Sequence, residues 1–276
     1  MLRQNFNDIF SSFTLWMDHT LLNQGQAFTN VNSLLYPIKE DKFPNYSIYS
    51  SPYKQFVYDS SVSGAQIPSG VYSNGHFIPR GQSGLFLDFQ NGRAVFTGQV
   101  NIPLSGQVAA KEVNVYTSTK SDQELIFENR INFASQFPVN PTGILGNNVV
   151  APAIFVRFGT MGTDLFALGG QYNDSIMARA VVITDSDYTL NAIGNIFVKQ
   201  KERNFLVFSQ TPLNEFGDLK TGYYNYNQYL NQYYDSLKLA YLEDVDFSRL
   251  NTTNLQNPDA RVGFLDFTIK LPRFGS

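Results

Sequence analysis

An apolar stripe of helical period opens the chain. Large apolar residues recur at spacings of three and four over Phe6–Leu21, and this spacing predicts one amphipathic helix of about 18 residues. Asn5 or Asn7 is placed to cap its first turn, and Gly25 is placed to end it. The stripe contains the only tryptophan, Trp16. A stripe this bulky must dock on a large surface, either the chain's own sheet or a neighbouring copy.

Strand-like alternation replaces the helical period in residues 31–106, where six prolines interrupt short apolar runs such as Gln55–Tyr58. Asn74-Gly75 and Asn91-Gly92 each stand between alternating runs, VYSNGHFI and GLFLDFQNGRAVF. Type I′ turns need positive φ at both central positions, so Asn-Gly in this context predicts a β-hairpin with a type I′ turn. We therefore predict an antiparallel β-sandwich or barrel-like module over residues 31–106.

Longer apolar runs follow. The segments KEVNVYTS (Lys111–Ser118) and Val262–Leu271 predict strands through alternation, while PAIFVRF (Pro152–Phe158) and SIMARAVVIT (Ser175–Thr184) are near-continuous runs typical of central strands. The glycine-bearing stretches GTMGTD and ALGGQ are interpreted as turns between strands.

Two further helices are indicated by capping residues. Ser121 precedes DQELIF, which predicts a short helical turn, and Asp185–Asp187 supply capping oxygens for a helix over Thr189–Lys199. The resulting order is typical of an α+β, β-rich fold. In this fold, residues 1–30 and 107–276 form a sheet flanked by an N-terminal and a second helix, and the module of residues 31–106 is inserted after the first helix.

Composition favours contact surfaces. Only 16% of the residues are charged, against roughly 25% in ordinary soluble domains. A surface poor in Lys and Glu costs less free energy to cover, because interface cores are depleted of those residues. Codon bias is an alternative explanation of the same composition, and it requires no interface. The net charge of −3 and the lack of a basic run argue against a protein that grips DNA. No run approaches the ~20 apolar residues of a membrane span, so no membrane partner is expected.

The inventory of reactive residues predicts neither a catalytic residue nor a metal or cofactor site. The chain has no cysteine and two histidines, His19 and His76, which lie in unlike contexts and rarely make a metal pair. The sequence has no phosphate-binding glycine motif, and GQSGL lacks the last glycine of a nucleophile elbow. Asp88 and Asp266 are candidates for a glycosidase carboxylate pair, but each is more simply a solvent-facing strand residue. We expect no enzyme.

A tyrosine-rich tract, GYYNYNQYLNQYYDSLKLAY (residues 222–241), fits either a helix or a polar aromatic arm. Tyrosine is enriched at interfaces because it joins a large apolar body to a polar tip, although a core-packing helix explains the tract equally well. The interface candidates are the bulky residues of this tract and of the first helix: Phe10, Phe13, Trp16, Met17, Tyr223, Tyr226, Tyr229 and Tyr233.

Several stretches between residues 49 and 197 carry a resemblance: YSSPYKQFVYDSSVSGAQIPSGVYSNGHFIPRGQSGLFLDFQNGRAVF, NVYTSTKSDQELIFENR and ARAVVITDSDYTLNAI. They resemble virion structural proteins of T4-like marine tailed bacteriophages. The order of elements is also similar to that of phage tail-terminator and neck-ring proteins. The segments of this chain that would take the places of their helices and strands are Phe6–Leu22, Pro152–Phe158, Met177–Thr184, Thr189–Lys199 and Val262–Leu271. The inserted module of residues 31–106 departs from the small terminators.

The resemblance implies a ring-forming protein that connects tail to head, at the neck or tail end of the particle. Its expected partners are copies of itself, in a hexamer or dodecamer, and other virion neck and tail proteins, with DNA only as passing cargo. It would need no cofactor and would be assembled in the host cytoplasm. The alternative is a β-rich binding or adhesion module of a baseplate or fibre, for example one that binds carbohydrate, which the hairpins and the tyrosine tract motivate.

Overall fold

The computed structural model describes residues 5–41, 43–128, 131–133, 149–167, 171–208, 211–233, 238–250 and 260–273. Within these ranges the helices are α1 (Asn5–Gln24), α2 (Asp187–Val198) and α3 (Tyr226–Tyr233), with a single helical turn at Glu124–Glu128 and a 3-10 turn at Gln82–Gly84. Most of the remaining elements are strands, so the prediction of an α+β, β-rich fold is confirmed. None of these helices combines the length and the apolar character that crossing a bilayer requires.

The first sheet is antiparallel, with the strand order β4-β3-β7-β1-β2-β6-β5. Its strands are β1 (Phe28–Ile38), β2 (Ser47–Ser50), β3 (Gly70–Ser73), β4 (His76–Pro79), β5 (Leu85–Asp88), β6 (Arg93–Phe96) and β7 (Leu104–Lys111). The longest pairing joins β1 to β7, and Leu34 and Leu35 show the strand period there, since the first is exposed and the second is buried. Neither β1 nor β7 was predicted as a strand.

The second sheet has the order β13-β14-β15-β12-β11-β8. Its strands are β8 (Asn114–Thr117), β11 (Ala153–Ala167), β12 (Gln171–Thr184), β13 (Asn204–Val207), β14 (Lys238–Arg249) and β15 (Arg261–Arg273), and a separate parallel pair is formed by β9 (Ile131–Phe133) and β10 (Val149–Ala151). Only the contact between β11 and β8 is parallel within this sheet.

Both long helices lie against the inner face of the second sheet. Alternate residues of β12, from Ile176 to Val182, point into the core, and α2 covers them with Leu190, Ile193 and Phe197. Gly194 lets α2 approach closely, because a Cβ there would lie 2.7 Å from the Phe247 ring. Ser186 caps α2 by accepting a hydrogen bond from the Thr189 amide, as the sequence predicted.

One hydrophobic cluster runs through α1, α2 and both sheets. The first sheet uses residues 28–111, so its last strand continues beyond the predicted module of residues 31–106. The division of the chain into that module and a ring-forming remainder stays a prediction. The core itself is shared, because α1 packs against both sheets.

The two Asn-Gly turns differ from each other. Asn74 and Gly75 both have positive φ, 49° and 81°, and join Ser73 directly to its partner His76, which confirms a type I′ turn. At the second turn the pairing of Asp88 with Arg93 leaves a four-residue loop, and only Gly92 has positive φ there. The prediction of a type I′ turn at Asn91-Gly92 is therefore wrong.

Three other local predictions can be compared with the structure. GTMGTD (residues 159–164) was interpreted as a turn, but it lies inside β11, and so that prediction is wrong; most of ALGGQ falls in residues 168–170, outside the described residues. Gln55–Tyr58 contributes only an isolated bridge, from Phe56 to Ala110, and is not a strand. The short helix behind Ser121 is confirmed, with Ser121 and Glu124 capping each other.

Candidate functional site

The apolar stripe of α1 packs inside its own chain. Phe13 and Met17 are fully buried and Trp16 is 6% exposed. The Phe13 ring stands edge-on to Phe267 with 5.0 Å between centroids, and the Trp16 ring stacks on Phe205 at 5.7 Å. These three interface candidates are occupied by the second sheet. They are not available to a partner, because the helix docks on the core of the same molecule.

Phe10 keeps part of its surface, although its ring contacts Phe158 at 4.6 Å between centroids. In the tyrosine tract, Tyr226 is 2% exposed and Tyr229 is half-buried, so both pack chiefly against their own chain. Tyr223 is 52% exposed, and the side chain of Tyr233 lies outside the described residues. Tyr223 is thus the clearest surface residue among the described candidates.

His19 belongs to a buried polar cluster that joins α1 to the tyrosine tract. Its Nδ1 lies 2.8 Å from Asp59 Oδ2, and its ring stacks on Tyr226 with 4.2 Å between centroids. Asp59 also accepts hydrogen bonds from the amides of Tyr226 and Ser61. Burial alone would raise the pKa of Asp59, but these hydrogen bonds outweigh it and hold the pKa below its usual value.

A second buried pair joins α1 to the first sheet. Lys111 Nζ, on β7, donates to Asp18 Oδ1 at 2.6 Å, and both side chains are less than a tenth exposed. The ammonium group also lies over the Tyr58 ring, 5.1 Å from its centroid. Burial, followed by the charges of Asp18 and Asp59, raises the pKa of the Tyr58 hydroxyl. The Asp18–Lys111 pair thus joins α1 to β7 and helps to position the helix.

The carboxylates that were candidates for catalysis already make hydrogen bonds or ion pairs within the chain. Asp88 was interpreted as a solvent-facing residue, but it is buried, and it accepts hydrogen bonds from the amides of Gln90 and Asn91 and from the Asn91 side chain. Burial raises the pKa of Asp88, and the hydrogen bonds offset that only in part. Among the described residues there is no group of three or more His, Asp or Glu side chains that could hold a metal ion.

The outer face of the second sheet carries an ion-pair network. Arg179, on β12, lies opposite Asp266 on β15 and donates to both of its carboxylate oxygens, at 2.6 and 2.8 Å. Asp122 bridges Arg179 to Arg157 on β11, at 3.1 and 2.8 Å. The hydrogen bonds that Arg179 donates to Asp266 are the main cause that raises the pKa of Arg179. The network is open to solvent, and such pairs contribute little to stability.

β11 presents a free edge beside this network. β8 pairs with β11 only over Ala153–Val156, and from Arg157 onward the described residues place no strand on that side. Residues 159–163 are exposed. An unpaired edge offers a row of backbone donors and acceptors to another strand. Sequence reasoning missed this edge, because its glycines were interpreted as a turn and because the spacing of three between Phe158 and Met161 breaks the strand alternation there.

Comparison of the chain with protein-family models and with curated proteins found no match. The assignment to tailed-phage neck or tail-terminator proteins therefore depends on the motifs given under Sequence analysis and stays a prediction. The geometry contributes a separate observation, which is the free edge of β11.

Proposed function

We propose that this protein is a structural subunit that assembles with copies of itself into a ring in a tailed-phage particle, at the neck or tail end. The free outer edge of β11 is the observation that carries the proposal. Assembly uses binding free energy rather than bond rearrangement, which agrees with carboxylates that are engaged in turns and ion pairs. The phage assignment is supported by the sequence resemblance alone.

The edge is suited to pairing because little in it opposes a second strand. Phe158–Thr163 contains no charged residue and no proline, the two features by which edge strands are commonly protected. The charged residues Arg157 and Asp164 flank this run, and two bulges interrupt the strand, one between Phe158 and Met161 and one between Leu165 and Ala167. Between the two bulges, residues 162–165 pair regularly with β12 and leave their other side open within the described part of the chain.

A ring follows when this edge meets a different surface of the next copy. Contacts between unlike surfaces are heterologous, and they close when the rotation between neighbours divides a full turn. The other end of the same sheet is β13, but its residues 205–207 are buried and the Phe208 amide donates to Ser12 on α1, so the surface that meets β11 lies elsewhere on the next copy. Such a geometry is compatible with the expected hexamer or dodecamer.

The test is the mass of the purified protein by light scattering, for the parent chain and for Gly162→Lys. No atom lies within 4 Å of the position that a Cβ at Gly162 would take, so the lysine adds a charge to the free edge without a clash. We expect a multimer for the parent and smaller species for the variant, since a charged lysine then stands at every edge contact and opposes the pairing of a second strand.

Gly98→Lys is the matched control, because Gly98 is equally open but lies between β6 and β7 in the first sheet. It should assemble as the parent does, and both variants should melt within about 0.5 kcal/mol of it. A parent chain that stays monomeric at high concentration contradicts the proposal. The phage assignment is tested separately by mass spectrometry of purified particles, and it fails if peptides of this chain are missing from the neck and tail fraction.

A further inference from the structure

A pocket of about 320 Å³ lies on the outer face of the first sheet. Its floor is formed by β5, β6 and β2, where Ile48 and Val95 are buried. One wall is formed by Glu40 with residues 43–46, and the facing wall by residues 215–217. The pocket is thus an open cleft between two loops, separate from the β11 edge.

Four aromatic rings follow one another along this pocket. Phe43 contacts Tyr46 at 5.9 Å between centroids, Tyr46 contacts Phe86 at 6.4 Å, and Phe86 contacts Phe216 at 5.7 Å. The two end rings are exposed, at 38% for Phe43 and 44% for Phe216. Large exposed rings are costly to keep in water, and a concave patch of them is typical of a binding site.

The wall that carries Phe216 is held in place before anything binds. The Asn214 side-chain oxygen accepts hydrogen bonds from the amides of Phe216 and Asp218, which closes a tight turn. Asp218 pairs with Arg80 at 2.8 Å, and the Gly217 carbonyl accepts from the Phe89 amide at 3.0 Å. A wall fixed in this way loses little conformational entropy on binding.

The charges around the pocket favour a cation. Its lining contains three carboxylates, Glu40, Asp88 and Glu215, and one guanidinium, Arg93, which pairs with Glu40 at 2.7 Å. The buried ammonium of Lys54 lies behind this pair, and burial lowers the pKa of Lys54 to about 8. Glu215 lines the pocket and is exposed, and within the described part of the chain it makes no ion pair, so its carboxylate is accessible to an incoming group.

We propose that this pocket receives the guanidinium group of an arginine that a partner polypeptide presents. A planar cation can lie on the faces of Phe86 and Phe216 while its N–H groups reach the Glu215 carboxylate. A carbohydrate would use the rings but has no charge for Glu215. The proposal concerns a site different from the assembly edge, so it holds whether or not the chain forms a ring.

The test is a calorimetric titration of the full-length protein with the peptide acetyl-Gly-Arg-Gly-amide. A parallel titration uses the neutral peptide acetyl-Gly-Gln-Gly-amide for comparison. We expect binding of the arginine peptide only, and weaker binding at high salt because an ion pair at the rim is screened. Phe216→Ala should weaken binding roughly two- to fivefold, the loss of one exposed cation–π contact. Glu215→Gln should remove most of the salt dependence.

Phe77→Ala is the matched control. Phe77 is 46% exposed on β4 of the same sheet but does not line the pocket, so this variant should bind as the parent does. Melting curves of all three variants should coincide with that of the parent. Equal binding of both peptides, no binding of the arginine peptide, or binding that Phe216→Ala leaves unchanged would overturn the proposal. Binding of neutral glycans in an array at the same rings would instead assign the pocket to carbohydrate and equally overturn it.

Discussion

The two Asn-Gly hairpins of the first sheet share a dipeptide and differ in almost everything else. The Asn74-Gly75 turn stands in solvent, and no atom lies within 4 Å of the place that a Cβ on Gly75 would occupy. The Asn91-Gly92 loop is packed against the chain, and a Cβ on Gly92 would lie 2.1 Å from the Tyr53 carbonyl oxygen. The conformation of the first turn follows from its own dipeptide, whereas the conformation of the second depends on the residues packed around it.

The difference originates one residue before the second loop. Asp88 is buried at the end of β5, and its carboxylate accepts the amides of Gln90 and Asn91, which draws the chain into a wider loop. Ser73 occupies the equivalent place before the first turn, and its side chain accepts no such hydrogen bond from the described residues. A capping side chain therefore decides between two turn geometries that the dipeptide alone allows.

Gly92→Ala gives the largest expected effect. The new methyl group would enter the Tyr53 backbone, and the residue would be held at a φ of 62°. Overpacking and left-handed strain together should lower the free energy of unfolding by about 2–5 kcal/mol, measured by urea denaturation. A loss below about 1 kcal/mol would show that the loop can move away from Tyr53, and the contrast between the turns would fail.

Asn91→Gly and Asn74→Gly form a matched pair of intermediate size. Asn91 donates its side-chain amide to Asp88 Oδ2 at 2.7 Å, so its removal should cost about 1.5–2 kcal/mol, as expected for a hydrogen bond to a charged group. Asn74 only occupies a left-handed position, which glycine adopts freely, so this change should stay within about 0.5 kcal/mol. Equal losses in the two denaturation curves would contradict the role of Asp88.

Gly75→Ala should cost about 1 kcal/mol, which is the strain of a left-handed alanine with no clash added. The measurement is again the midpoint of urea denaturation, with Gly98→Ala as a control, because Gly98 is equally open and has no positive φ. A loss as large as that of Gly92→Ala would mean that the exposed turn is also fixed by its surroundings.

The pH dependence of stability gives the smallest effect. The pKa of Asp88 is raised in the folded protein, mainly by burial, so between its unfolded and folded pKa values the folded state binds more protons. This residue therefore lowers stability as the pH rises through that window, in the opposite sense to Asp59, whose pKa is lowered. Asp88→Asn should remove the decline, seen in thermal melts between pH 3 and 7 (roughly the range of shifted carboxyl groups). If Asp88→Asn leaves the slope of stability against pH unchanged, the buried Asp88 carboxylate is not the cause of the decline.

Much of the fold could be predicted because its signals are local. The spacing of apolar residues in α1, the capping oxygen of Ser186 and the long apolar runs in β11 and β12 each depend on neighbours within a few residues. The Asn74-Gly75 turn belongs to the same class. These elements were predicted, and the structure contains them.

The remaining features depend on residues far apart in the sequence. β14 begins inside the tyrosine tract, at Lys238, and the composition of the tract concealed it. The glycines of GTMGTD concealed the strand that runs through them. The pocket rings were missed because Phe86 and Phe216 lie 130 positions apart (216 minus 86) and no pattern joins them. That α1 docks in its own molecule was equally beyond the sequence, since an apolar stripe does not identify the surface that covers it.

The position of α1 has a consequence for cooperativity. Asp18 fastens it to β7 of the first sheet through Lys111, and His19 fastens it to the segment between β2 and β3 through Asp59, while Phe13 inserts among rings of the second sheet. Neither sheet can lose this helix without exposing apolar surface and leaving a charge unpaired, so heat should melt the described fold in a single calorimetric transition rather than two. An isolated fragment of either sheet would lack the element that both require in order to fold.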